Sequence, residues 1–141
     1  MKKYRKILLN PGPANTTSSV KNAQIVDDIC PRVNEFGELL TKIRFDLTNI
    51  VANINDYSTI ILGASGTASV ESVISSIFDK HHKLVIVNNG SYGTRMTEIA
   101  STYGIKYFEF KSDFFSEINV SNLEDFIKKN SATHIAIVHN E

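Results

Sequence analysis

Leu84-Val85-Ile86-Val87-Asn88-Asn89-Gly90-Ser91-Tyr92-Gly93-Thr94-Arg95 carries the plainest architectural signal in the chain. It opens with four consecutive apolar residues, and Val85, Ile86 and Val87 are β-branched. Such a run reads as a strand buried on both faces. Two asparagines and a glycine end it, and a helix over about residues 92–102 follows, closed by Gly104 just past its last turn. A strand with no polar face, followed by a helix, is the signature of a parallel sheet whose crossovers lay helices on both sides.

The same alternation extends in both directions. Upstream, Tyr57-Ser58-Thr59-Ile60-Ile61-Leu62 reads as a strand that ends at Gly63-Ala64-Ser65-Gly66-Thr67. Val70, Val73, Ile74, Ile77 and Phe78 then form the apolar stripe of a helix packed on a sheet. Downstream, Lys106–Phe110 predicts a third strand. A short helix over 121–129 follows, with Ser121 as N-cap and Glu124 completing a capping box. His134-Ile135-Ala136-Ile137-Val138 predicts a fourth strand. Before all of these, Val33, Phe36, Leu40, Ile43, Leu47, Ile50, Val51 and Ile54 share one face of a long helix, with Pro31 favouring its start. The predicted class is α/β, a partial and largely parallel sheet with covering helices. Residues 1–20 form an N-terminal arm and 21–141 an incomplete domain. The last strand is expected to be central in a larger sheet, so its edge and apolar face lack partners within these residues.

Composition narrows the function. Fifteen basic and fifteen acidic side chains cancel over 141 residues, which argues against a binder of nucleic acid or membrane surfaces. Cys30 is the only cysteine, so no disulfide forms within the chain; it reads as a small buried hydrophobe. Met1 ahead of a short basic arm reads as a true start. The apolar run after that arm, Ile7-Leu8-Leu9, is too short for a secretory signal, and no run approaches the ~20 residues that span a bilayer. The expectation is a cytoplasmic protein.

Binding sites in parallel sheets lie at the carboxyl ends of strands. Both glycine-containing loops, 63–67 and 88–93, are predicted there and are expected to face one crevice. In the first, Ser65 and Thr67 offer hydroxyls, Gly66 permits close approach, and the helix start offers unpaired amides. It reads either as an anion site or as an ordinary turn with Thr67 as N-cap. In the second, Tyr92 between Gly90 and Gly93 reads either as a ring open to stack on a flat heterocycle or as a half-buried core aromatic. Arg95 reads equally as a surface or ion-pair arginine. Asn10-Pro11-Gly12-Pro13 makes a rigid turn that can reach a neighbouring crevice or serve as a plain loop. Glu71 is expected in the first turn of the helix, where a carboxylate suits the dipole, in a structural role. His81, His82, His134 and His139 do not form a ligand pattern, and no metal is expected.

These motifs, in this order, resemble the class V aminotransferases, pyridoxal 5′-phosphate (PLP) enzymes of fold type I. The resemblance is carried by Leu8–Pro13, Leu62–Glu71, Val87–Met96 and Thr133–Glu141, and it covers essentially the whole chain. It is nearest to members that transfer the amino group of 2-aminoethylphosphonate to pyruvate by a ping-pong mechanism, giving phosphonoacetaldehyde and alanine. The resemblance implies that Ser65, Gly66 and Thr67 hold the PLP phosphate and that Tyr92 stacks on the pyridine ring. It also implies that Pro11, Gly12 and Pro13 line the substrate site, and that Arg32 helps to bind an anionic substrate. It implies a homodimer for the complete protein and makes this chain the front part of the PLP-binding large domain. The lysine that anchors the cofactor and moves the proton falls outside residues 1–141, so no catalytic residue is expected here and the chain alone is expected to be inactive. The alternatives are an alanine–glyoxylate type of the same class and a non-catalytic domain binding PLP or phosphate.

Overall fold

The computed structural model describes residues 6–10, 12 and 14–140. The chain forms two compact units that divide between Gly63 and Ala64.

In the first unit, the Asn15 side chain closes the arm. Its Oδ1 accepts from Leu8 N at 2.7 Å and its Nδ2 donates to Lys6 O at 2.9 Å. Gly12 sits inside this loop at φ +93°, a left-handed conformation suited to glycine. Pro11 and Pro13 lie outside the described residues. A short helix α1 (Ser18–Asn22) is capped by Thr17, whose side chain accepts from Val20 N. The long helix α2 (Asn34–Val51) follows, close to the bounds its periodicity predicts.

The predicted strand at 57–62 is not a strand. A strand exists only where its backbone finds a ladder partner, and this segment instead bonds to side chains of α2. Arg44 Nε donates to Thr59 O and its Nη2 to Ser58 Oγ, each at 2.7 Å. Thr59 N donates to Thr48 Oγ1 at 3.1 Å, and the two threonine hydroxyls lie 2.7 Å apart. Thr48 is buried by these contacts.

The second unit alternates α3 (Gly66–Ile77), β1 (Leu84–Asn88), α4 (Ser91–Thr102), β2 (Tyr107–Lys111), α5 (Val120–Asn130) and β3 (His134–Ile137). The three strands form a parallel sheet in the order β2-β1-β3. The central strand is fully buried from Leu84 to Val87, as its composition predicts. Side chains alternate across a strand. Leu84 and Ile86 therefore pack with Ile74 of α3 and with Met96 and Ala100 of α4, while Val85 and Val87 pack with Leu123 of α5. The layers are α3 and α4, sheet, α5.

Two caps differ from expectation. Asn119, not Ser121, caps α5: its Oδ1 accepts from Asn122 N at 2.9 Å. Ser65, not Thr67, occupies the N-cap of α3. Gly104 follows α4 at φ +65°, in its predicted place. Cys30 is exposed, contrary to the buried reading, because no other element covers the segment that carries it.

Candidate functional site

The loop that leads into α3 presents hydroxyl donors without partners among the described residues. The Ser65 side chain makes no cap hydrogen bond, and the first turn of α3 carries no acidic residue. Among the described residues neither the Ser65 nor the Thr67 hydroxyl has a hydrogen-bond partner. Ser65 and Gly66 are exposed and Thr67 is half-buried. A Cβ on Gly66 would meet nothing within 4 Å, so no packing constraint explains this glycine. The first helical amides add unpaired N–H groups and partial positive charge. Two hydroxyls and a helix start without a carboxylate form a donor set suited to a phosphate.

The second loop is built differently from what its glycines imply. Gly93 does not serve to uncover the tyrosine ring. It is buried, and a Cβ there would lie 2.8 Å from both Asn88 Cα and Asn88 Oδ1 and 3.2 Å from Val87 O. Glycine is required because α4 starts hard against the end of β1. Asn88 then organises the turn. Its Nδ2 donates to Glu109 Oε1 of β2 at 2.7 Å and to Thr94 Oγ1 at 3.1 Å, and its Oδ1 accepts from Gly90 N at 3.3 Å. The Thr94 hydroxyl donates to Gly90 O at 3.1 Å. Tyr92, in the first turn of α4, is 46% exposed rather than a core aromatic. Arg95 is exposed on the same helix.

Asn89 bridges the carboxyl ends of two strands, with Nδ2 donating to Val138 O at 3.3 Å. Its Oδ1 is buried without a partner among the described residues. An unsatisfied buried acceptor costs ~1–3 kcal/mol, so this atom marks a point where a donor is needed. Sequence reasoning placed Asn88 and Asn89 only within a motif. Their bonding depends on Glu109 and Val138, which are distant in sequence.

Helices α3 and α4 pack together, and Tyr103 Oη donates to Glu71 Oε1 at 2.6 Å. Glu71 stands in the second turn of α3, not the first, and its structural role is this bond to Tyr103 rather than a place on the helix dipole. The hydrogen bond to Glu71, reinforced by its negative charge, holds the Tyr103 hydroxyl above its ordinary pKa. At the opposite, amino end of the sheet, Phe78, His82 and His134 form an edge-to-face cluster with centroids 4.8–6.3 Å apart. Asp79 nearby is held below its ordinary pKa, mainly by the His81 N–H at 2.7 Å.

Ser65, Gly66, Thr67 and Tyr92 thus all lie at helix starts of one unit, but only the 88–93 loop follows a strand. Gly12 and Arg32 belong to the other unit. No group of three or more His, Cys, Asp or Glu able to hold a metal occurs among the described residues.

No protein-family model matches the chain. It is 38% identical over its whole length to 2-aminoethylphosphonate–pyruvate transaminase of Bacillus cytotoxicus and covers 39% of that protein. It is 36% identical, also over its whole length, to the transaminase of the same name from Bacteroides fragilis. It is 34% identical over 96% of its length to a bifunctional phosphonoacetaldehyde hydrolase/aminoethylphosphonate transaminase of Clostridioides difficile, covering 21% of it. Among solved structures, alanine–glyoxylate aminotransferase of Nostoc matches 99% of the chain with a TM-score of 0.80 at 24% identity, covering 37% of that protein. Ureidoglycine–glyoxylate aminotransferase of Bacillus subtilis matches 93% with a TM-score of 0.78 at 22% identity. The chain therefore has an aminotransferase fold, and over its own whole length it matches about two fifths of the length of curated 2-aminoethylphosphonate–pyruvate transaminases.

Proposed function

We propose that these residues form the front part of a PLP-dependent transaminase that moves the amino group of 2-aminoethylphosphonate to pyruvate, giving phosphonoacetaldehyde and alanine. The observation that carries this reading is the 36–38% identity, over the whole of this chain, to about two fifths of transaminases of that name. The open donor set at Ser65–Thr67 supports the PLP part of it.

PLP, when bound, serves as an electron sink for the substrate carbon that carries the amino group. Ser65 and Thr67 donate hydroxyl hydrogens to its phosphate, and Gly66 lets the amides of the first turn approach. Tyr92 supplies a flat apolar face for the ring, a contact worth ~0.5–1.5 kcal/mol. The resemblance to the class assigns Pro11, Gly12 and Pro13 to substrate binding, and Arg32 to an anionic substrate such as a phosphonate. None of residues 1–141 is assigned to proton transfer, so turnover needs groups outside them. The complete protein is taken to be a cytoplasmic homodimer. Its resemblance to the class supports this.

The test is a comparison of amino donors on the full-length protein. Phosphonoacetaldehyde and alanine should form from 2-aminoethylphosphonate and pyruvate far faster than glycine forms from alanine and glyoxylate. The reverse order of rates overturns the substrate assignment, and PLP binding without either reaction favours a non-catalytic domain.

A further inference from the structure

The hydrogen bond between Asn88 and Glu109 has a consequence beyond holding two strands together. A carboxamide can point either way, because oxygen and nitrogen differ little in size. At Asn88 the two orientations have opposite effects on the turn. With Oδ1 toward Gly90, the Gly90 N–H has an acceptor at 3.3 Å; turned over, two donors face each other. Glu109 settles the choice. An ionised carboxylate only accepts, and its Oε1 lies 2.7 Å from Asn88 Nδ2. Its side chain is 27% exposed, so water competes weakly for it, and Lys111 Nζ lies 3.6 Å from the other oxygen.

Once oriented, the carboxamide sets both sides of the turn. Its oxygen receives Gly90 N and its nitrogen meets Thr94, whose hydroxyl returns to Gly90 O. Gly93 packs directly on Asn88. Tyr92 is therefore held between two fixed points, Gly90 and Gly93–Thr94, and Asn88 touches both.

We propose that Glu109 is a positioning residue for Tyr92, acting through the Asn88 carboxamide to fix the turn that presents the ring. This rests on the reading of Tyr92 as the residue that stacks on PLP. Glu109 touches neither substrate nor cofactor in this assignment. Its conservative replacement by Gln keeps an acceptor oxygen, whereas Leu keeps only the bulk.

The test uses the full-length protein with Glu109→Leu, Glu109→Gln and Tyr92→Ala. Amide exchange of segment 88–95, followed by mass spectrometry without PLP, reads the turn. PLP dissociation and the visible circular dichroism of bound PLP read the ring's surroundings. Glu109→Leu should speed exchange in 88–95 by about ten-fold, leave exchange in α3 unchanged and weaken PLP binding by a similar factor. Glu109→Gln should restore both to near wild type. If Glu109→Leu does not fold, Thr94→Val should loosen the same segment and alter the same dichroism. Exchange unchanged in the folded variant overturns the brace. Faster exchange with unaltered dichroism and affinity overturns its link to Tyr92. If instead Tyr92→Ala itself leaves dichroism and affinity unaltered, the stacking assignment has failed, and the exchange result then stands for the brace alone.

Discussion

Gly93 has no room for a side chain, and the neighbours that deny it room are mostly backbone. A Cβ would meet Asn88 Cα at 2.8 Å and Val87 O at 3.2 Å, and neither can swing away. Gly93→Ala is therefore expected to lower stability by ~1–3 kcal/mol, measured by denaturant unfolding of the full-length protein, whereas Gly66→Ala has no such clash and should cost much less. A second residue-level prediction concerns pH. The bond to Glu71 raises the Tyr103 pKa above its ordinary value of 10.0 in the folded state. A raised pKa means that the stabilisation is present below the unfolded value and lost as pH rises through the folded one. Wild type should lose stability relative to Tyr103→Phe as pH climbs above about 10, and the two should run parallel at neutral pH. Asp79 has the opposite sign. Its lowered pKa gives stabilisation that is present above 3.8 and lost as pH falls through the folded value.

At the level of elements, pattern and partner separate cleanly. The strand Leu84–Val87 was legible because a run apolar on both faces has few other places to go, and α2 and α3 were legible from their stripes. Two failures lie where a local signal needed a distant partner, and a third, the cap of α5, is local. Tyr57–Leu62 has strand composition, yet the donors and acceptors available to it are the Arg44 and Thr48 side chains of α2, and it takes those. Ser65–Thr67 and Tyr92 were legible as motifs, but the Glu109–Asn88–Thr94 network that ties the turn carrying Tyr92 to β2 joins two strands and leaves no local trace. Ser121 and Glu124 have capping-box spacing, but Asn119 stands two residues earlier and its short carboxamide reaches Asn122 N first. Asn119→Ala should cost ~1 kcal/mol of stability, and Ser121→Ala should stay within about 0.5 kcal/mol of wild type. Equal effects in thermal unfolding would return the cap to Ser121.

For the molecule as a whole, the parallel sheet is open along β3. Register pairs Ile135 with Val85 and Ile137 with Val87, so these isoleucines lie on the α5 face of the sheet. Helix α5 packs over β1 and β2, and Ile135 and Ile137 remain 48% and 49% exposed. The outer edge of β3 has no strand partner among the described residues. A free edge beside exposed β-branched side chains is a template for another strand. Phe115, in the loop after β2, is 99% exposed and adds to the apolar surface. Residues 1–141 expressed by themselves are therefore expected to self-associate, as sedimentation velocity would show. Ile135→Lys with Ile137→Lys should move that population toward monomer, because lysine on an edge opposes pairing and neither side chain is buried. Lysines at Phe114 and Phe115 instead test the loop as the contact. A monodisperse wild-type monomer that melts cooperatively would mean that the β3 edge is already protected, and the aggregation argument would then fail at its first step.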